Sequence, residues 1–145
     1  MAFAIVAVCG LIHVIAIVVF AQFLLRTFHP VETLTKLWRQ ALVLVLVFAV
    51  VILLSLVEAA IWALFYYLRG LFPDFETSFY FSLGTYSTIG YGDVVLPQRW
   101  RLLGGIEGIS GVLLCGLSAA FVFAVLNALF QSRIQRSLSK VTVLE

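Results

Sequence analysis

Three apolar blocks, each long enough to cross a bilayer, leave this chain little freedom. Ala2 to Leu25 is interrupted only by His13 and Gln22, Ala41 to Leu68 carries Glu58 as its one charge, and Leu102 to Phe130 carries Glu107 as its one charge. About 20 apolar residues suffice for a membrane-crossing helix, and lipid offers no partner to an exposed backbone amide. The expected class is an all-α membrane protein with three transmembrane helices. Of the 145 residues, 63% are hydrophobic and 11% charged, too little charge to cover a soluble domain. Such a composition argues against a soluble enzyme, and a net charge of +2 gives no reason to expect a nucleic-acid partner. Cys9 and Cys115 lie inside apolar runs and are expected to be small buried hydrophobes rather than a disulfide. The chain shows no Cys/His cluster, so no cofactor is expected.

The blocks divide the chain into an N-terminal span (1–25), a linker (26–40), a central region (41–130) and a tail (131–145). The first block lacks a basic segment before it and a small-residue cleavage site after it, so it is expected to be a retained anchor. Arg26, Lys36 and Arg39 in the linker and Arg133, Arg136 and Lys140 after the third span outnumber Arg69, Arg99 and Arg101 between spans two and three. The positive-inside rule then predicts a cytoplasmic linker and tail, with the N-terminus and the 69–101 segment outside. Pro30, Val31, Leu34, Leu37 and Trp38 fit a short interfacial helix; alternatively, Trp38 and Arg39 begin span two at the headgroups.

The segment between spans two and three has its own punctuation. Pro73-Asp74-Phe75-Glu76-Thr77 is a helix-start signature, and 75–86 reads as a helix too short to span. Thr88-Ile89-Gly90-Tyr91-Gly92-Asp93 follows, TIGYGD in one-letter code. A short helix followed by non-helical backbone is a re-entrant loop, tolerated at membrane depth only where it is buried in protein or lines a polar path. Replacing the water around a cation requires closely spaced oxygens, which backbone carbonyls supply. Pointing successive carbonyls one way requires alternation with left-handed backbone, and Gly90 and Gly92 permit it at little steric cost. Thr88 adds a hydroxyl, and the C-terminal end of the short helix favours a cation.

At these residues the chain resembles the potassium channels. The likeness runs over Ser78 to Asp93, SFYFSLGTYSTIGYGD, as a pore helix (75–86) and selectivity filter (87–93). With an outer helix at 41–68 and an inner helix at 101–130, it is similar to the two-span pore module of small bacterial potassium channels and of each half of two-pore-domain channels. The resemblance implies that permeant K+ is coordinated at Thr88, Ile89, Gly90 and Tyr91, with Gly92 completing the filter. It also implies a homotetramer in the lipid bilayer of a plasma membrane, since one chain supplies one pore loop.

The chain departs from the family's pattern around that filter. Gly84 stands where many relatives carry an acid that pairs with the carboxylate equivalent to Asp93, so that pairing is lost. Tyr80 and Phe81 replace paired tryptophans, although Tyr80 retains a hydrogen-bond donor. Glu58 and Glu107 are expected in the outer half of the bilayer, at the depth of the pore helix. They are candidates to support the filter by filling the space Gly84 leaves, Glu107 more so because it lies on the inner helix. The other reading makes each a polar contact between spans.

Gly104, Gly105, Gly108, Gly111 and Gly116 on the third span allow close helix approach. In related channels a glycine partway along the inner helix is a gating hinge, and Gly111 or Gly116 falls near that place. Phe123 is a candidate constriction of the inner cavity, beside Ala119, Ala120 and Asn127. His13 reads as a titrating group or as a hydrogen-bonded packing residue. The spans carry no arginine series, and the fifteen residues after Phe130 are too few for a ligand-binding domain, so neither a voltage sensor nor a cytoplasmic receptor is expected. The functional expectation is a K+-selective channel. The alternatives are a weakly selective cation channel with a less supported filter, and a non-conducting regulatory subunit of a transport complex.

Overall fold

The structure, a computed structural model, describes residues 1–27 and 37–142. Its long helices are α1 (Ala2–Thr27), α2 (Leu37–Leu68) and α4 (Arg101–Thr142), with the short α3 (Phe75–Tyr86) between the last two. All three long helices are apolar and long enough to cross a membrane. With no strand among the described residues, the chain is an all-α membrane protein.

Two apolar clusters fix how the helices run. One joins Ala2 and Cys9 of α1 to Ala59, Trp62 and Tyr66 of α2, Tyr86 of α3 and Leu96. The other joins Leu24 of α1 to Val43 and Val47 of α2, with Phe20, Phe121 and Val122 packed against it. The start of α1 therefore lies beside the end of α2, so α1 and α4 run the same way and α2 runs against them. The N-terminus sits on the same side as the 69–100 segment, and the Arg69 guanidinium donates to the Met1 sulfur at 2.9 Å.

Local chemistry sets where α2 stops and α3 starts. Gly70 takes φ +62°, and the Leu71 N–H bonds back to the Tyr66 carbonyl, a glycine C-terminal cap. Asp74 is the N-cap of α3, accepting the Thr77 N–H at 2.6 Å, while the Ser78 hydroxyl donates to the Asp74 carbonyl. The Thr77 bond holds the Asp74 carboxyl below its ordinary value of 3.8. At its other end the Ser87 N–H and hydroxyl both bond the Leu83 carbonyl. A helix of 12 residues reaches only ~18 Å, so α3 enters the bundle and stops.

Some boundaries differ from those expected. Span two begins at Leu37, so Trp38 and Arg39 form the first turn of α2. Arg26 and Thr27 end α1, past the expected boundary at 25, and residues 28–36 of the proposed 26–40 interfacial helix lie outside those described. Helix α4 continues to Thr142 rather than ending near Phe130; its 42 residues reach ~63 Å, about twice the hydrocarbon thickness. Cys9 is buried as expected, but Cys115 is exposed, on a face of α4 turned away from the other helices.

Candidate ion-conduction site

The backbone after α3 alternates in handedness. Thr88, Gly90 and Gly92 have φ of +61°, +57° and +79°, whereas Ile89 and Tyr91 do not enter the left-handed region. That two-residue alternation is the one needed to turn successive carbonyls to the same side. A β-branched residue at positive φ is costly, so surrounding structure must hold Thr88 there. Its N–H donates to the Thr85 carbonyl at 3.0 Å, and the Gly90 N–H reaches back to the Gly84 carbonyl at 2.9 Å. Both bonds tie the loop to the last turn of α3.

Helix α3 is held in turn by buried polar side chains. Ser78, Ser82 and Tyr86, spaced by four on one face, are all buried. The Ser82 hydroxyl lies 2.5 Å from a Glu107 oxygen and 2.7 Å from the Ala59 carbonyl. The other Glu107 oxygen accepts the Tyr66 hydroxyl at 2.7 Å. Glu107 thus ties Ser82 of α3 to Tyr66 of α2 through its two oxygens. At the end of α3, the Tyr86 hydroxyl donates to the Glu58 carboxylate. The second Glu58 oxygen faces the His13 Nδ1 at 2.8 Å, and the His13 Nε2 lies 3.1 Å from the Ser118 hydroxyl. His13, Glu58 and Glu107 are all fully buried.

This geometry corrects the expectation that a carboxylate fills the space beside Gly84. Glu58 and Glu107 bond α3 at Tyr86 and Ser82 instead, one on each side of Gly84 along the helix. A cavity of about 150 Å³ remains, lined by Tyr80, Gly84, Gly90, Tyr91 and Asp93 among others. A Cβ at Gly84 would meet nothing within 4 Å. Asp93 finds another partner. The Tyr80 hydroxyl donates to it at 2.7 Å, while its second oxygen accepts the Val94 N–H at 3.0 Å. The Tyr80 bond holds the Asp93 carboxyl below its ordinary range. The Tyr80 and Tyr91 rings stack at 6.3 Å, and Phe81 packs against Tyr66 and Phe72.

Three glycines of α4 meet α3 directly. A Cβ on Gly104 would touch Phe81 and Thr85, one on Gly108 would lie 3.4 Å from the Thr85 carbonyl, and one on Gly111 would overlap the Tyr86 carbonyl. Gly116 has open space around it. Gly111 is therefore fixed by close approach of backbone, and Gly116 is not. Phe123 is 69% exposed, directed away from the chain's other helices.

A family model described as "Ion channel" matches residues 40–128, more than half of the chain. The chain belongs to the ion channel family. No curated protein and no solved structure matched it. The matched stretch of this channel holds α2 from Gln40, α3, the alternating loop and α4 to Ala128, whereas α1 lies outside it.

The sequence alone singled out Glu58, Glu107 and His13 but did not identify Ser82, Tyr66 and Tyr86 as partners of the two carboxyls or Ser118 as a partner of His13. The recurrence of hydroxyls at 78, 82 and 86 was the available signal, since side chains four apart share a helix face.

Proposed function

We propose that this channel subunit assembles as a homotetramer in a plasma membrane and conducts K+ selectively, in single file and down its gradient. The alternating left-handed backbone at Thr88, Gly90 and Gly92, seated on the end of a short helix, carries this reading. In it, the carbonyls of Thr88, Ile89, Gly90 and Tyr91 and the Thr88 hydroxyl replace the ion's water, with Gly92 completing the loop. Each chain contributes one such loop, so encircling an ion requires further copies. Ile89 and Tyr91 are 58% and 70% exposed in the single chain, and neighbouring subunits would cover them. Tyr80, Asp93, Glu58 and Glu107 serve as filter supports, and Phe123 is placed to narrow the inner cavity. The balance of basic residues orients the N-terminus outside and the end of α4 in the cytoplasm.

One observation favours a second reading, a weakly selective cation channel. Asp93 is held by the Tyr80 hydroxyl rather than by an acid at position 84, and a less firmly held filter discriminates ions less well.

Flux from liposomes under K+ and Na+ gradients tests both. Rapid K+ flux, slow Na+ flux and loss of K+ flux in Gly90→Ala support the selective channel, because φ of +57° strains any side chain there. Equal fluxes support the second reading. An assembled protein that passes neither ion would overturn both and leave a regulatory subunit.

A further inference from the structure

Helix α1 lies outside the matched channel module, yet it supplies a side chain to the buried polar groups beside the filter. His13 is fully buried between Glu58 of α2 and Ser118 of α4, at 2.8 and 3.1 Å. The other Glu58 oxygen accepts from Tyr86, the last residue of α3 and two positions before Thr88. Side chains from α1, α2 and α4 thus form one chain of polar contacts that ends on the residue leading into the filter.

We propose that α1 is a working part of the pore, with His13 acting through Glu58 as a positioning residue for Tyr86 and the filter that follows. The inference rests on the K+-channel reading given above.

The physical argument has three steps. A carboxylate at membrane depth is expensive and requires a partner. Tyr86 supplies one hydrogen bond, and His13 supplies the second through a ring nitrogen that donates as Nδ1–H. With both oxygens engaged, the carboxylate is fixed in direction and so is the Tyr86 phenol. Tyr86 is also caught at its other end, where its carbonyl lies against Gly111 so closely that a Cβ would overlap it. A residue held at both phenol and carbonyl transmits little motion to Thr88, whose strained backbone depends on that support. Without His13, one Glu58 oxygen loses its donor, the carboxyl group is free to turn, and the phenol loses its fixed acceptor. Packing of α1 against the bundle would explain the apolar contacts of Ala2, Cys9 and Leu24, but not a histidine bonded on both ring nitrogens.

The test uses full-length protein, isolated as assembled oligomer and reconstituted in liposomes, with the K+/Na+ flux ratio as readout. Tyr86→Phe removes only the hydroxyl at the filter end, and His13→Ala removes the far end. Each is expected to lower the ratio, by roughly threefold to tenfold, and the double variant is expected to be no worse than the more severe single. His13→Asn keeps a donor near the Nδ1 position and is expected to recover most of the ratio. If His13→Ala does not assemble, the cycle is run with His13→Gln, which keeps a donor only near Nε2.

A wild-type ratio in Tyr86→Phe, or losses that add in the double variant, would overturn the assignment of α1. Wild-type protein that fails to discriminate K+ from Na+ would instead overturn the functional reading on which it rests.

Discussion

Tyr80 donates its phenol proton to Asp93 at 2.7 Å, bridging α3 and the end of the loop that follows it across thirteen residues. Gly84 offers Asp93 no partner, and the tyrosine one helical turn earlier takes that place. Tyr80→Phe keeps the ring and its stack on Tyr91 while removing the bond. It is expected to lower K+ selectivity or speed loss of conduction several-fold without changing oligomer yield. Unchanged flux and selectivity would show that Asp93 needs no partner.

Acidification follows from the same bond. Its Tyr80 partner lowers the Asp93 pKa in the folded channel below the ordinary 3.8. A depressed carboxyl stabilises the fold above its unfolded value, and that contribution disappears as pH falls through the folded value. A pH between 7 and 5 should therefore leave this support intact, with loss beginning only below about 4. Comparing wild type with Asp93→Asn isolates it: the two should converge at the acid end and differ at neutral pH.

Glu107 holds Ser82 and Tyr66 together. Glu107→Gln can still donate to Ser82 and accept from Tyr66, so thermal stability of the oligomer should stay near wild type. Glu107→Ala leaves the buried Tyr66 hydroxyl without its acceptor, at a cost of about 1–3 kcal/mol, while Ser82 keeps the Ala59 carbonyl, so the melting temperature should fall. Equal melting temperatures for the two variants would show that these bonds contribute nothing net.

Gly111 and Gly116 separate contact from hinge. Gly111→Ala places a methyl on the Tyr86 carbonyl, and overpacking of that kind costs about 1–3 kcal/mol while displacing the end of α3. Flux or assembly should fall. Gly116→Ala meets open space and should keep both. Lost flux in Gly116→Ala with normal assembly would instead mark a hinge there.

By itself the sequence determined the membrane-crossing helices, the start of the short helix at Asp74 and the permissive backbone at Gly90 and Gly92. Each depends on properties carried locally: apolar length, an N-cap, or the absence of a Cβ. Much of the site was legible for the same reason. Tertiary structure alone decided what the buried polar groups touch. His13 meets Glu58, 45 residues away, and Ser118, 105 residues away. Ser82 meets Glu107, 25 residues away, although Gly84 was the position that drew attention. Lipid and protein interior are both apolar, so a spanning helix carries almost no hydrophobic stripe to mark its inward face. Which side of α1, α2 or α4 turns inward is set by packing and by a few polar contacts, and those exist only once the helices have met.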